Sequence, residues 1–169
     1  PRIEALYRTP SRPIEDEPSL VRFEHDALDE MLGGGLRKGS STLLLAPTGA
    51  GKTLVGLSFL AAGLARGEPA MYAGFYEAPP RVVASGENIG LSLQRHLESG
   101  LLHVDWQAPV EVSLDVWGHR MIGAVTQRRP TRFFLDGFNA LQDSAAYPAR
   151  IGAFLTALLN ELRARGVTT

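Results

Sequence analysis

The chain has 169 residues, enough for one compact α/β domain and too few for two ordinary ones. Its 44% apolar and 21% charged residues allow a sizeable core, and a net charge of −1 provides no basic field to draw it to DNA, RNA or anionic lipid. The lack of cysteine excludes disulfides, thiolate zinc sites and cysteine nucleophiles and fits a cytoplasmic location, and no apolar run approaches the ~20 residues that span a bilayer.

Residues 1–20 carry Pro1, Pro10, Pro13 and Pro18 with mixed charge and little periodicity, and read as a linker or a strap on a neighbour. A start at proline rather than methionine is what a piece of a longer protein would show. The domain itself is expected over 21–169. Leu28, Met31 and Leu32 share one face of a short helix over Asp26–Leu32, which Gly33-Gly34-Gly35 ends. Four nearly continuous apolar runs follow, Thr42–Ala46, Ala70–Phe75, Leu101–Val104 and Phe133–Leu135, the pattern of strands buried on both faces of a parallel sheet.

Helical patterns separate those runs. Leu54, Leu57, Leu60, Ala61 and Leu64 make one stripe, ended by Gly67. Pro79-Pro80 opens a second helical stretch toward Gly100, with a break expected near Gly86 or Gly90. Leu114, Trp117, Met121, Ile122 and Val125 make a third stripe, and Ile151, Phe154, Leu155, Leu158, Leu159 and Leu162 a fourth. Alternating strands and helices imply right-handed βαβ crossovers and an α/β fold, a mostly parallel sheet with helices on both faces. Val167–Thr169 reads as the opening of a fifth strand, so the last strands of the sheet are expected to be missing from this segment.

Ala46-Pro47-Thr48-Gly49-Ala50-Gly51-Lys52-Thr53 fits the P-loop pattern with alanine for its first glycine. Gly49 and Gly51 let the backbone curl so that the N–H groups of Thr48, Gly49, Ala50 and Gly51 face phosphate oxygens, and the helix that follows adds its positive end. Lys52 can reach the β- and γ-phosphates as a mobile charge, and the Thr53 hydroxyl is placed to ligate Mg²⁺. The implied ligand is a nucleoside triphosphate, ATP with Mg²⁺. Asp136 ends the apolar strand before Gly137 and is a second metal-side candidate, holding Mg²⁺ through a water. Glu77 ends the strand after the P-loop helix, where a carboxylate could orient and partly deprotonate the water that attacks the γ-phosphate, or simply favour a helix N-terminus.

LDEMLGGGLRKGSSTLLLAPTGAGKT, FYEAP and FFLDG, in this order and spacing, resemble the KaiC-like branch of the RecA P-loop ATPase superfamily over roughly residues 20–169. Pro1–Leu6 (PRIEAL) looks like the close of a preceding domain of the same kind, which would make this the second of two tandem copies. The resemblance implies a RecA-like fold and a ring homo-oligomer, commonly a hexamer, with ATP at protomer borders. It also implies basic residues given in trans from strands beyond Thr169, and a regulatory protein partner would suit such a ring. One departure stands out. The family usually carries two consecutive glutamates at the strand tip, and here they read Tyr76-Glu77. Tyrosine is a poor general base at neutral pH, so either Glu77 takes over with Lys52 as its catalytic partner, or hydrolysis is slow or absent.

Two readings stay open: an ATPase whose turnover drives a regulatory or signalling ring, and a nucleotide-binding assembly module with little turnover. A DNA recombinase fits the charge less well, and nucleic acid is not an expected partner. His25, His96, His103 and His119 lack metal-ligand spacing, and Trp106 and Trp117 read as packing residues.

Overall fold

Of the four apolar runs, three form strands of one parallel sheet in the computed structural model, which describes residues 2–3, 19–110 and 113–169. The linker expected over 1–20 falls almost wholly outside those residues. A short antiparallel pair, β1 (Leu20–Val21) with β2 (Leu36–Arg37), brackets helix α1 (Asp26–Met31). Then come α2 (Lys52–Leu64), β3 (Ala70–Gly74), α3 (Pro79–Glu87), α4 (Leu93–Glu98), β4 (Leu102–Trp106), α5 (Leu114–Arg128), β5 (Arg132–Asp136), α6 (Phe138–Ser144) and α7 (Ile151–Ala164). The helical stretch from Pro79 breaks over 88–92, where Gly90 and Ser92 take positive φ, while Gly86 stays inside α3 and packs on Leu93.

The sheet order is β4-β3-β5, and both pairings are parallel. β3 alternates its side chains between two cores. Ala70 and Tyr72 join Leu57, Leu60, Val82, Val83 and Leu102 on the α2 side. Met71, Ala73 and Phe75 join Trp117, Met121, Phe133, Phe154 and Leu158 on the α5–α7 side. Burial on both faces explains why the sequence run was continuous rather than alternating. Register sets Gly74 beside both Trp106 and Asp136, so three strands finish level at one edge.

Helix α2 lies unusually close to β5. A Cβ on Gly56 would come 2.2 Å from the Phe134 ring, and one on Gly63 would come 2.4 Å from Arg132 Nε. Gly56 and Gly63 are two helical turns apart, as Phe134 and Arg132 are two strand residues apart, so one glycine face meets one strand face. Arg132 is buried there, donating to Glu68 and to the carbonyls of Arg22 and Phe59.

The fifth strand begins as expected. Phe133 N–H donates to Thr168 O, and Thr168 bridges Arg132 in parallel. Thr169 N–H then donates to Ser40 O, and Thr42 N–H donates to Thr169 O, the pattern of a parallel ladder. The strand expected over Thr42–Ala46 does not form. Among the described residues no strand pairs beside Leu43–Ala46, and Leu43 and Leu45 are 72% and 81% exposed. Among the described residues no helix is long and apolar enough to cross a membrane.

Candidate nucleotide-binding site

The segment Ala46–Thr53 forms a bend that leads into α2. Ala50 N–H donates to Pro47 O at 3.2 Å, and Gly49 and Gly51 sit at φ 82° and 86°. A Cβ on either glycine would meet nothing within 4 Å, so both are required by their left-handed backbone, not by crowding. The space they face is open. Gly51 is the N-cap of α2, and no side chain caps that helix, which leaves its first-turn amides for an anion.

Lys52 opens α2 with its side chain laid back over the bend. Its ammonium donates at 2.8 Å to both Ala46 O and Pro47 O. Thr53, one residue on, reaches across to the sheet: its hydroxyl donates to Asp136 Oδ2 at 2.8 Å. The close seat of α2 on β5 makes that reach possible. Thr53 and Asp136, 83 positions apart in sequence, are thus brought together next to Lys52, whose ammonium lies on the loop carbonyls.

Glu77 follows the end of β3. Its Oε2 is buried with no hydrogen-bond partner among the described residues. Beside Asp136 stands a residue from the continuous apolar run Ala70–Phe75. Tyr72 is 1% exposed, and its hydroxyl donates to Asp136 Oδ2 at 3.2 Å. Burial, and then the negative charges of Asp136 and Glu77, push the phenol far above its usual value of 10, so it remains a protonated donor. The available signal was Gly74, two residues on and therefore on the same face of the strand, which leaves the ring room to lie toward the strand end.

Tyr76, at the position of the missing glutamate, is 62% exposed. Its ring lies over Gly137, where a Cβ would stand 2.7 Å from it, and it borders a cavity of about 510 Å³ with Asp143 and Ser144. Trp117 is buried against Phe75 and Phe154, as its packing role required, whereas Trp106 stands 40% exposed at the end of β4. His25 accepts from Leu28 N–H at the start of α1, and no cluster of three or more His, Asp or Glu forms a ready-made metal cage among the described residues.

The donors joined here are the Thr53 hydroxyl and the Asp136 carboxylate. That set suits a hard cation such as Mg²⁺, which takes few protein ligands and completes its shell with phosphate and water.

A family model described as "ATPase: KaiC" matches residues 25–169. The circadian clock protein KaiC2 of Synechocystis sp. is 30% identical over 142 residues, covering 83% of this chain and 25% of that protein. The circadian clock oscillator protein KaiC of Acaryochloris marina is 29% identical over 168 residues, 92% of this chain and 31% of that protein. A third relative, the circadian clock protein KaiC3 of Synechocystis sp., is 27% identical over 131 residues, 76% of this chain and 26% of that protein. The chain therefore spans between a quarter and a third of the length of these curated relatives.

Proposed function

The chain belongs to the KaiC ATPase family, with a RecA-like P-loop domain that binds ATP, and from that premise we propose that it takes ATP as its Mg²⁺ complex and hydrolyses it slowly. The observation that carries this reading is the Thr53–Asp136 hydrogen bond, which joins the phosphate loop to the carboxylate at the strand end. The amides of Thr48–Gly51 receive the phosphates. Lys52 exchanges two loop carbonyls for β- and γ-phosphate oxygens, a swap of neutral acceptors for charged ones that favours the bound state. Thr53 and Asp136 would hold Mg²⁺, which supplies charge neutralisation along the phosphates. Glu77, with its unpartnered oxygen, is the base that orients the attacking water.

Tyr76 supports a slow rate, because it puts a phenol where the resemblance expects the carboxylate of the first glutamate. Taken to its limit it supports the second reading, a nucleotide-held assembly module. The ring homo-oligomer, a hexamer by family resemblance, belongs to the proposal, as do a regulatory protein partner, a cytoplasmic location, the division at residue 20, and no role for nucleic acid.

The test is titration of the full-length protein with Mg²⁺-ATP, with phosphate release followed in parallel. Lys52→Ala should lose most of the binding. Saturable binding with phosphate release at the Lys52→Ala background would favour the assembly module, and no binding at all would end the nucleotide reading.

A further inference from the structure

Tyr72 is a group in the site to which none of the roles above is assigned. Its ring is buried. It packs edge-on against Phe134 at 5.7 Å between centroids, and Phe134 is in turn pressed into the notch of Gly56 on α2. Along the strand, Gly74 gives the phenol its path, since a Cβ there would stand 2.4 Å from the Tyr72 hydroxyl oxygen. Register puts Gly74 beside Asp136, so the hydroxyl that passes over Gly74 arrives at that carboxylate.

Asp136 Oδ2 therefore accepts two hydrogen bonds, from Thr53 and from Tyr72. A hydroxyl can offer a lone pair to a metal while its hydrogen stays on a carboxylate, so Thr53 can keep its bond to Asp136 as a ligand. Tyr72 adds a second donor to the same oxygen from within the sheet. We infer that Tyr72, through the path opened by Gly74, is a positioning residue that, together with Thr53, holds the Asp136 carboxylate in its metal-binding pose. This inference rests on the nucleotide reading above and adds to it the residue that fixes the metal-side carboxylate.

The experiment measures ATP affinity of the full-length protein with EDTA and across a Mg²⁺ titration, for the parent, Tyr72→Phe, Asp136→Asn and the double variant. Tyr72→Phe removes one oxygen and keeps the ring. It should leave metal-free affinity within about twofold and raise the Mg²⁺ midpoint by roughly three- to tenfold, the net worth of one hydrogen bond. Against Asp136→Asn the same change should add little, because the carboxylate it positions is gone. A lowered melting temperature with an unmoved Mg²⁺ midpoint would reduce Tyr72 to a core residue and overturn the inference, as would shifts that add in the double variant. Gly74→Ala gives an independent check, since it blocks the path of the phenol and should shift the midpoint the same way. Failure of the parent to bind ATP in EDTA and in Mg²⁺ alike would sink the nucleotide reading; normal parent binding with an unmoved Tyr72→Phe midpoint sinks only this inference.

Discussion

Gly51 shows how much one position decides. At φ 86° it turns the chain into α2, and any other residue there enters a left-handed backbone that costs roughly 1–2 kcal/mol. Gly51→Ala should therefore lower stability by about that amount and weaken ATP binding further, since the strain is relieved by swinging the first-turn amides away from the phosphate; denaturant melts and ATP titration read the two effects separately. Thr53 makes a complementary case. Thr53→Ala removes the bond to Asp136 and, on the proposed reading, a metal ligand, and should weaken Mg²⁺-dependent binding by about tenfold while sparing metal-free binding. Thr53→Ser keeps the oxygen and should keep the affinity; equal Mg²⁺ dependence in the alanine and serine variants would remove Thr53 from the metal site. The sequence made these two residues legible because glycine spacing and a following Lys-Thr pair have few other uses. It did not make Tyr72 legible, because an aromatic in an apolar strand is ordinary core until the neighbouring strand end is known.

At the scale of elements, the seat of α2 on β5 couples stability to the site. Gly56→Ala would place a methyl 2.2 Å from the Phe134 ring, an overlap that only a shift of the helix or the ring removes. Overpacking of this kind costs about 1–3 kcal/mol. Because Lys52 and Thr53 ride on the first turn of the same helix, the shift should also lengthen the Thr53–Asp136 contact. Gly56→Ala should then lower the denaturation midpoint and the Mg²⁺-ATP affinity together, and Phe134→Leu in the same chain should restore part of both. Loss of stability with intact affinity would show that the helix and the site are not coupled. Period and apolar runs were enough to read α2, α5, α7 and the three paired strands, since each buries a continuous face. They do not decide Thr42–Ala46, because a strand is a relation between neighbours: the residues have strand chemistry, but among the described residues only Thr42 has a ladder bond, to Thr169. They also could not show that Gly56 and Gly63 set the distance from helix to sheet, which depends on which strand face they meet.

Across the whole molecule, the far side of the sheet is tied together at Asp115 on α5. Its carboxylate accepts two bonds at 2.9 Å from Arg150, in the turn that leads to α7, and one at 3.0 Å from the Ile3 amide. Ile3 is fully buried, and its side chain packs in the hollow left by Gly118, with Phe154 alongside. One acid thus fastens α5, the start of α7 and the beginning of the chain around a shared apolar contact. Arg150 first, against some opposition from burial, holds the Asp115 carboxyl at about 2, below its ordinary 3.8. The folded state therefore gives up this proton more readily than the unfolded state does. The pair's contribution is complete above about pH 4 and fades as the pH falls from there through about 2, where both states are protonated. Urea denaturation of the parent and of Asp115→Asn should show the parent clearly more stable at neutral pH, with the gap narrowing below about pH 4. A gap that holds constant to the lowest pH would mean that the charge on Asp115 contributes nothing and that the contact is held by its shape alone. Arg150→Gln should give the same narrowing from the other partner, whereas Ile3→Ala, which removes apolar burial and no charge, should lower stability equally at every pH.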